Sequence, residues 1–143
     1  MRVKALHPNF RMPTKGTDGA GAFDIYMPVA GSVGYNQHKT IPLGFAAEVP
    51  PGYVALLLPR SGAGAKHGLE LNNTCGVIDS DYRGEWKAVL RTKSPTPFLW
   101  NEDDRVLQFL LVPVLDVRLE EVSEDEELTA TGRGVGGFGS TGG

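Results

Sequence analysis

Cysteine is all but missing from this sequence: Cys75 is the single thiol in 143 residues. One thiol closes no internal disulfide and builds no zinc cluster, so a reducing, cytoplasmic setting is the expectation. No apolar run is long enough to cross a bilayer, and no membrane partner is expected. The N-terminal MRVKALHPNF has bases but no apolar stretch before Pro8, so a secretory signal is not expected either. Helical periodicity is not sustained for three turns anywhere, and no internal repeat is visible.

The net charge of −3 conceals an uneven distribution. LEEVSEDEEL, residues 119 to 128, holds six of the 17 acids and no base, and outside it 14 bases face 11 acids. The body is therefore mildly basic, which suits an anionic ligand. It lacks the strong basic stripe of a nucleic-acid binder, and no nucleic-acid partner is expected. The acidic run reads as a solvated connector, which divides one domain into a β body (1–118), a connector (119–131) and a glycine-rich arm (132–143).

What recurs along the body is short β-rich runs between glycines and prolines: AFDIYMPV, KTIPLGFAAEVP, YVALLLP, TCGVID, WKAVLRT and RVLQFLLVPVLDVRL. This spacing predicts an all-β sandwich or barrel. At most one short helix is expected, SGAGAKHG (61–68), with Ser61 as its cap and Gly68 as its stop. VLQFLLVPV is apolar on both alternating faces, which predicts a strand buried on both sides, either at a sheet centre or under another copy of the chain.

Four stretches carry chemistry. NNTCGVIDSDYRGEW (72–86) sets Asp79, Asp81, Tyr82 and Arg83 between Gly76 and Gly84. In a regular strand Asp79 and Asp81 share a face and Tyr82 points away, so a bend or bulge is needed before Asp79 and Tyr82 touch one ligand. The same residues also read as a plain surface turn. LLLPRSGAGAKHGLEL (56–71) ends a strand at Pro59 and opens Arg60, Ser61 and Gly62 onto a helix start, which is either a phosphate site or an ordinary cap. NEDDRVLQFLLVPV (101–114) puts Gln108 inside an apolar strand, where its amide must find hydrogen bonds from a ligand or from backbone. GRGVGGFGSTGG (132–143) is no Walker A loop, for it has no lysine and no following helix. It is a glycine string able to lay N–H groups along phosphates.

Taken in order, GAFDI (21–25), PRSG (59–62), GVIDSDYRG (76–84), DRVLQ (104–108) and RGVGGFGSTG (133–142) resemble the five motifs of the trimeric deoxyuridine triphosphatases. The resemblance spans nearly the whole chain. It implies an all-β, jelly-roll-like (β-clip) subunit with a flexible C-terminal arm, assembled as a homotrimer with active sites at subunit interfaces. It implies hydrolysis of dUTP to dUMP and pyrophosphate, which limits uracil incorporation into DNA and supplies dUMP for dTMP synthesis.

The resemblance carries roles residue by residue. Asp79 is expected as the base that orients and deprotonates the attacking water. A carboxylate is a modest base, so positioning and charge neutralisation must supply much of the rate. Arg60, Ser61 and Gln108 are expected on the phosphates, with Arg133, Gly139, Ser140 and Thr141 closing over the γ-end. Asn73 and the hairpin backbone through Gly76 and Ile78 are expected to read the uracil edge. Tyr82 is expected to lie against the deoxyribose and Phe138 to stack on the base. Asp24, Gly62, Asp81 and Arg105 are supporting residues, Asp24 for either the metal's water shell or the phosphate-binding arginines. Mg²⁺ is the implied cofactor, held mainly by the triphosphate and water.

Against the family pattern, Ala63 and Gly64 replace a bulkier apolar residue and alanine, Trp86 stands at an aliphatic position, and Arg91 to Lys93 replace an Asn-containing stretch. A dCTP deaminase on the same fold would need a water-activating Glu and a different serine-rich arrangement after the arginine, which PRSG and GVIDSDYRG argue against. An arm that orders on nucleotide binding also suits a second, signalling role.

Overall fold

The computed structural model describes residues 1–137. Phe138, Gly139, Ser140 and Thr141 lie outside the described residues. Twelve strands run through the described part: β1 (Val3–Ala5), β2 (Thr14–Lys15), β3 (Phe23–Tyr26), β4 (Gly31–Val33), β5 (His38–Pro42), β6 (Phe45–Ala47), β7 (Tyr53–Pro59), β8 (Leu69–Leu71), β9 (Gly76–Ile78), β10 (Lys87–Thr92), β11 (Phe98–Trp100) and β12 (Arg105–Pro113). A five-stranded sheet in the order β2-β3-β12-β7-β9 faces the rest, which comprises a three-stranded sheet β5-β10-β8 and the pairs β1-β6 and β4-β11. Every strand pair is antiparallel. This is the all-β, jelly-roll-like architecture expected, and no helix here is long and apolar enough to cross a membrane.

The two-sided apolar run occupies the centre of the large sheet. β12 pairs with β3 on one edge and with β7 along seven positions on the other. A register shift between Arg105 and Leu107 marks a bulge, and the consecutive Val106 and Leu107 are both buried there. The ladder stops at Pro113, opposite Tyr53 where β7 begins. The sequence reading carried this strand on to Leu119. Instead the chain leaves the sheet, and Leu115, Val117 and Leu119 stand 87%, 67% and 97% exposed.

Aromatic packing joins the sheets. Trp86, fully buried just before β10, lies 5.0 Å from Phe45 and 5.1 Å edge-on from Phe109, ring centre to ring centre. Each such large side chain contributes about 2–3 kcal/mol on burial. The indole Nε1–H of Trp86 has no hydrogen-bond partner among the described residues, which offsets part of that gain.

The expected helix is a single π-helical turn, Gly62–Lys66, and Ser61 does not cap it. Ser61 itself has helical backbone angles (φ −54°, ψ −40°) and makes no side-chain cap bond. A capping hydroxyl reaches the first amides only from an extended backbone, so the reading of Ser61 as a cap is corrected. Gly68, at φ +66°, ends the turn with its N–H on the Gly64 carbonyl.

Candidate active site

The ends of β7 and β12 create the first half of the site. Arg60 follows β7, and Arg105 opens β12 beside it. Between them stands Asp24, in the middle of β3 and only 5% exposed. Its Oδ1 accepts from Arg60 Nε at 2.9 Å and its Oδ2 from Arg105 Nη1 at 3.3 Å. Arg60 Nη1 also donates to the Arg105 carbonyl at 3.1 Å, and the Arg60 backbone N–H to that of Val106 at 3.0 Å. Two guanidiniums are thus fixed about one carboxylate, with a formal charge of one proton left over and several N–H groups free to face solvent.

Gln108 sits opposite Asp24 across the β3–β12 ladder, and its Nε2 donates to the Pro59 carbonyl at 3.2 Å. Its half-buried amide therefore makes one bond to neighbouring backbone. Arg60, Ser61, Gln108, Arg105 and Asp24 line one concavity of about 500 Å³. The far wall is the loop from Gly16 to Ala22, including Thr17, which the sequence reading did not single out. Its signal is the glycine spacing of GTDGAGA (16–22), directly before Phe23. Gly62 lies on the opposite side of Arg60, with His67, Phe98 and Leu99 around a second hollow.

The remaining candidate residues lie elsewhere on the chain. Strand β9 ends at Ile78, and Asp79 to Tyr82 form a turn in which the Tyr82 N–H donates to the Asp79 carbonyl at 3.2 Å. No bulge is needed, because the strand has already finished before Asp79. Val77, Ile78, Asp79, Tyr82 and Lys87 line a shallow concavity of about 170 Å³. Lys87, the first residue of β10 and five residues after Tyr82, is a lining residue that the sequence motifs do not include. Asp81 lies on the turn but lines neither concavity.

The approach to this turn is also not a hairpin. β8 pairs with β10 while β9 pairs with β7, so residues 72–75 carry the chain from one sheet to the other. Asn73 is exposed on that crossover, where Thr74 adopts φ +68° and Cys75 donates its N–H to the Asn73 carbonyl at 2.7 Å. Gly76 is buried against Leu57, and a Cβ there would come within 3.0 Å of the Leu57 Cβ. Arg133 is exposed in a pair of successive turns, Thr131 to Gly134 and Arg133 to Gly136, and lines neither concavity.

A cationic cradle with a hydroxyl and an amide, together with an exposed carboxylate beside an aromatic ring, is equipment for handling a phosphate ester. The dUTPase family model matches residues 8–142, and the chain belongs to the dUTPase family. It is 39% identical to the deoxyuridine 5'-triphosphate nucleotidohydrolase of Psychrobacter sp. strain PRwf-1, covering 99% of this chain and 97% of that one. It is likewise 39% identical to that of Nautilia profundicola, over 99% and 98%. Among solved structures, the Staphylococcus bacteriophage 80alpha dUTPase with dUPNHPP is similar at a TM-score of 0.85 and 25% identity, over 99% and 97% of the two chains. A mutant dUTPase of phage phi11 of S. aureus, described for its coordination of a structural Mg(II) ion, shares the fold at a TM-score of 0.77, with 23% identity over 86% and 96%.

Proposed function

We propose that the chain hydrolyses dUTP to dUMP and pyrophosphate, at sites completed between subunits of a homotrimer. One observation carries the reading: the family match runs from residue 8 to residue 142 and so takes in all five motifs. Arg60, Ser61 and the second amide proton of Gln108 hold the phosphates, and Asp24 keeps the arginines in place. Arg133, Gly139, Ser140 and Thr141 close over the γ-phosphate, and Phe138 covers the uracil. Asp79 takes a proton from water as the water oxygen bonds to the α-phosphorus, and the bond from that phosphorus to the bridging oxygen breaks to release pyrophosphate. Gly76, Ile78 and Asn73 present the backbone and amide that read the uracil edge, and cytosine would leave them unpaired. Tyr82 lies against the deoxyribose.

Mg²⁺ fits this site as an ion carried by the substrate. Among the described residues no group of three His, Cys, Asp or Glu is placed to hold a metal. Asp24, the one carboxylate lining the cradle, has an oxygen on each arginine and can accept in addition only from a metal-bound water. When bound, the ion neutralises charge on the triphosphate. The homotrimer is supported by Leu115, Val117 and Leu119, an alternating apolar face with no cover in one subunit. The cytoplasm is the compartment we propose, since a chain with one cysteine closes no internal disulfide and needs no oxidising setting.

The test is pyrophosphate release from dUTP, UTP, dCTP and dTTP, each with and without Mg²⁺. Asp79→Asn is expected to lower kcat on dUTP by about 10³-fold while a non-hydrolysable dUTP analogue still binds. Undiminished turnover in that variant would remove Asp79 from the base's role.

A further inference from the structure

Tyr82 is 43% exposed, yet its hydroxyl is tied down, donating to the Glu85 carbonyl at 3.0 Å. The ring reaches that carbonyl by lying directly over Gly84. A Cβ built at Gly84 would stand 2.4 Å from the tyrosine oxygen and 2.6 Å from Cζ. Gly84 is not among the glycines with positive φ, so it is needed for space and not for backbone conformation.

Glu85 is itself held on both sides. Its Oε1 accepts from the Gly44 N–H at 3.1 Å, in the turn between β5 and β6 where Gly44 adopts φ +76°. Next to it the Leu43 N–H donates to the Trp86 carbonyl and the Trp86 N–H to the Phe45 carbonyl, both at 2.9 Å. Leu43, Phe45 and Trp86 are all buried in the core. The carbonyl that Tyr82 uses is therefore anchored to the buried core, although the ring is 43% exposed.

We propose that Gly84 and Glu85 are positioning residues for Tyr82: together they set the angle and height of its ring, and through it the choice of deoxyribose over ribose. The proposal rests on the reading of Tyr82 as the sugar contact. Excluding one added hydroxyl requires the blocking group to be held to a fraction of an ångström, whereas an exposed side chain without a tether exchanges rotamers in nanoseconds. Glu85 supplies the tether's fixed end, and Gly84 leaves the room in which the ring lies. Neither touches the nucleotide.

The readout is the ratio of kcat/KM for dUTP to that for UTP, in the full-length chain, with thermal melts alongside. Gly84→Ala moves only the far end of Tyr82, and Glu85→Ala frees the Gly44 N–H. Each is expected to lower the ratio by about tenfold. Glu85→Gln keeps an oxygen acceptor for Gly44 and is expected to keep the wild-type ratio. If Tyr82→Ala lowers the ratio while Gly84→Ala and Glu85→Ala shift only the melting temperature, the positioning role is overturned and the sugar contact stands. If Tyr82→Ala leaves the ratio unchanged, the reading of Tyr82 fails, and the proposal with it.

Discussion

Replacing Asp24 with asparagine takes one negative charge from between two arginines and leaves the side chain's size unchanged. Two effects then oppose each other at the cradle. The formal charge of Arg60, Arg105 and residue 24 rises from one positive unit to two. An added charge near a solvated triphosphate is worth about 1 kcal/mol at 4 Å, so KM falls up to about fivefold. Against this, one guanidinium loses its acceptor and both lose the shared anion that held them 2.9 and 3.3 Å away. Misplacing a transition-state contact by about 1 Å costs about 10²-fold in kcat, or about 2.7 kcal/mol. Positioning wins, and kcat/KM falls roughly twentyfold while substrate binds no worse. Stability falls too. The arginines are more than a third exposed and the carboxylate is buried, so the loss lies between that of a surface pair and that of a buried one, roughly 2 kcal/mol. For a chain of this length that lowers the melting temperature by roughly 6 °C. Steady-state pyrophosphate release and a thermal melt on the same preparation measure both. Wild-type kcat with a wild-type melt would refute the reasoning, because the arginines would then hold their places without Asp24.

Glu70 provides the pH-dependent case: its carboxyl is held below its ordinary value of 4.5, first by the hydrogen bond from Lys93 and also by Arg91, with burial pulling the other way. A lowered carboxylate stabilises the fold above its unfolded-state value and loses that contribution as pH falls through its folded one. Glu70→Gln is therefore expected to melt below wild type at neutral pH, with the gap closing in acid; a gap constant across that range would contradict the assignment. Truncation after Thr131 is expected to leave the melt unchanged, since the core of the described residues ends at β12, and to cut kcat on dUTP by about 10²-fold or more through loss of the phosphate contacts proposed for the arm. A truncated chain with full turnover would show that the arm serves only as a linker.

The parts legible in sequence were those decided by local pattern. VLQFLLVPV is apolar at consecutive positions, which predicts a strand at a sheet centre or under another copy of the chain; β12 does lie between β3 and β7, but only Leu107 and Phe109 on one face are fully buried, while Gln108, Leu110 and Val112 on the other are half-buried. What pattern does not carry is which edge pairs with which. The family resemblance implies a hairpin leading to Asp79, yet β8 and β9 join different sheets, their partners being β10 and β7. The cap assigned to Ser61 failed for a related reason. A serine before a turn is the right residue type, but a cap needs an extended backbone and Ser61 already has helical angles, which residue type alone does not reveal. The constraint on Tyr82 was equally hidden: Gly84 reads as a turn glycine, and Gly44, which holds Glu85, lies about forty residues away.

The separation of the cradle from the Asp79–Tyr82 turn bears on how the site is assembled. The two concavities share no lining residue. The cradle rests on the ends of β7 and β12, and the turn follows the outermost strand of the same sheet. If one subunit's cradle meets another's turn, two inactive variants must restore each other. In an assembly of Asp79→Asn chains with Arg60→Ala chains, the first type brings an intact cradle and the second an intact turn. Heterologous contacts in a closed ring pair each cradle with one neighbouring turn, so random mixing in equal amounts makes about a quarter of the sites whole. Refolding the two variants together should therefore recover about a quarter of wild-type activity, while either refolded alone, or the two mixed without dissociation, stays inactive. If each chain instead folded both halves onto one nucleotide, every site in the mixture would carry a defect, and co-refolding would recover nothing.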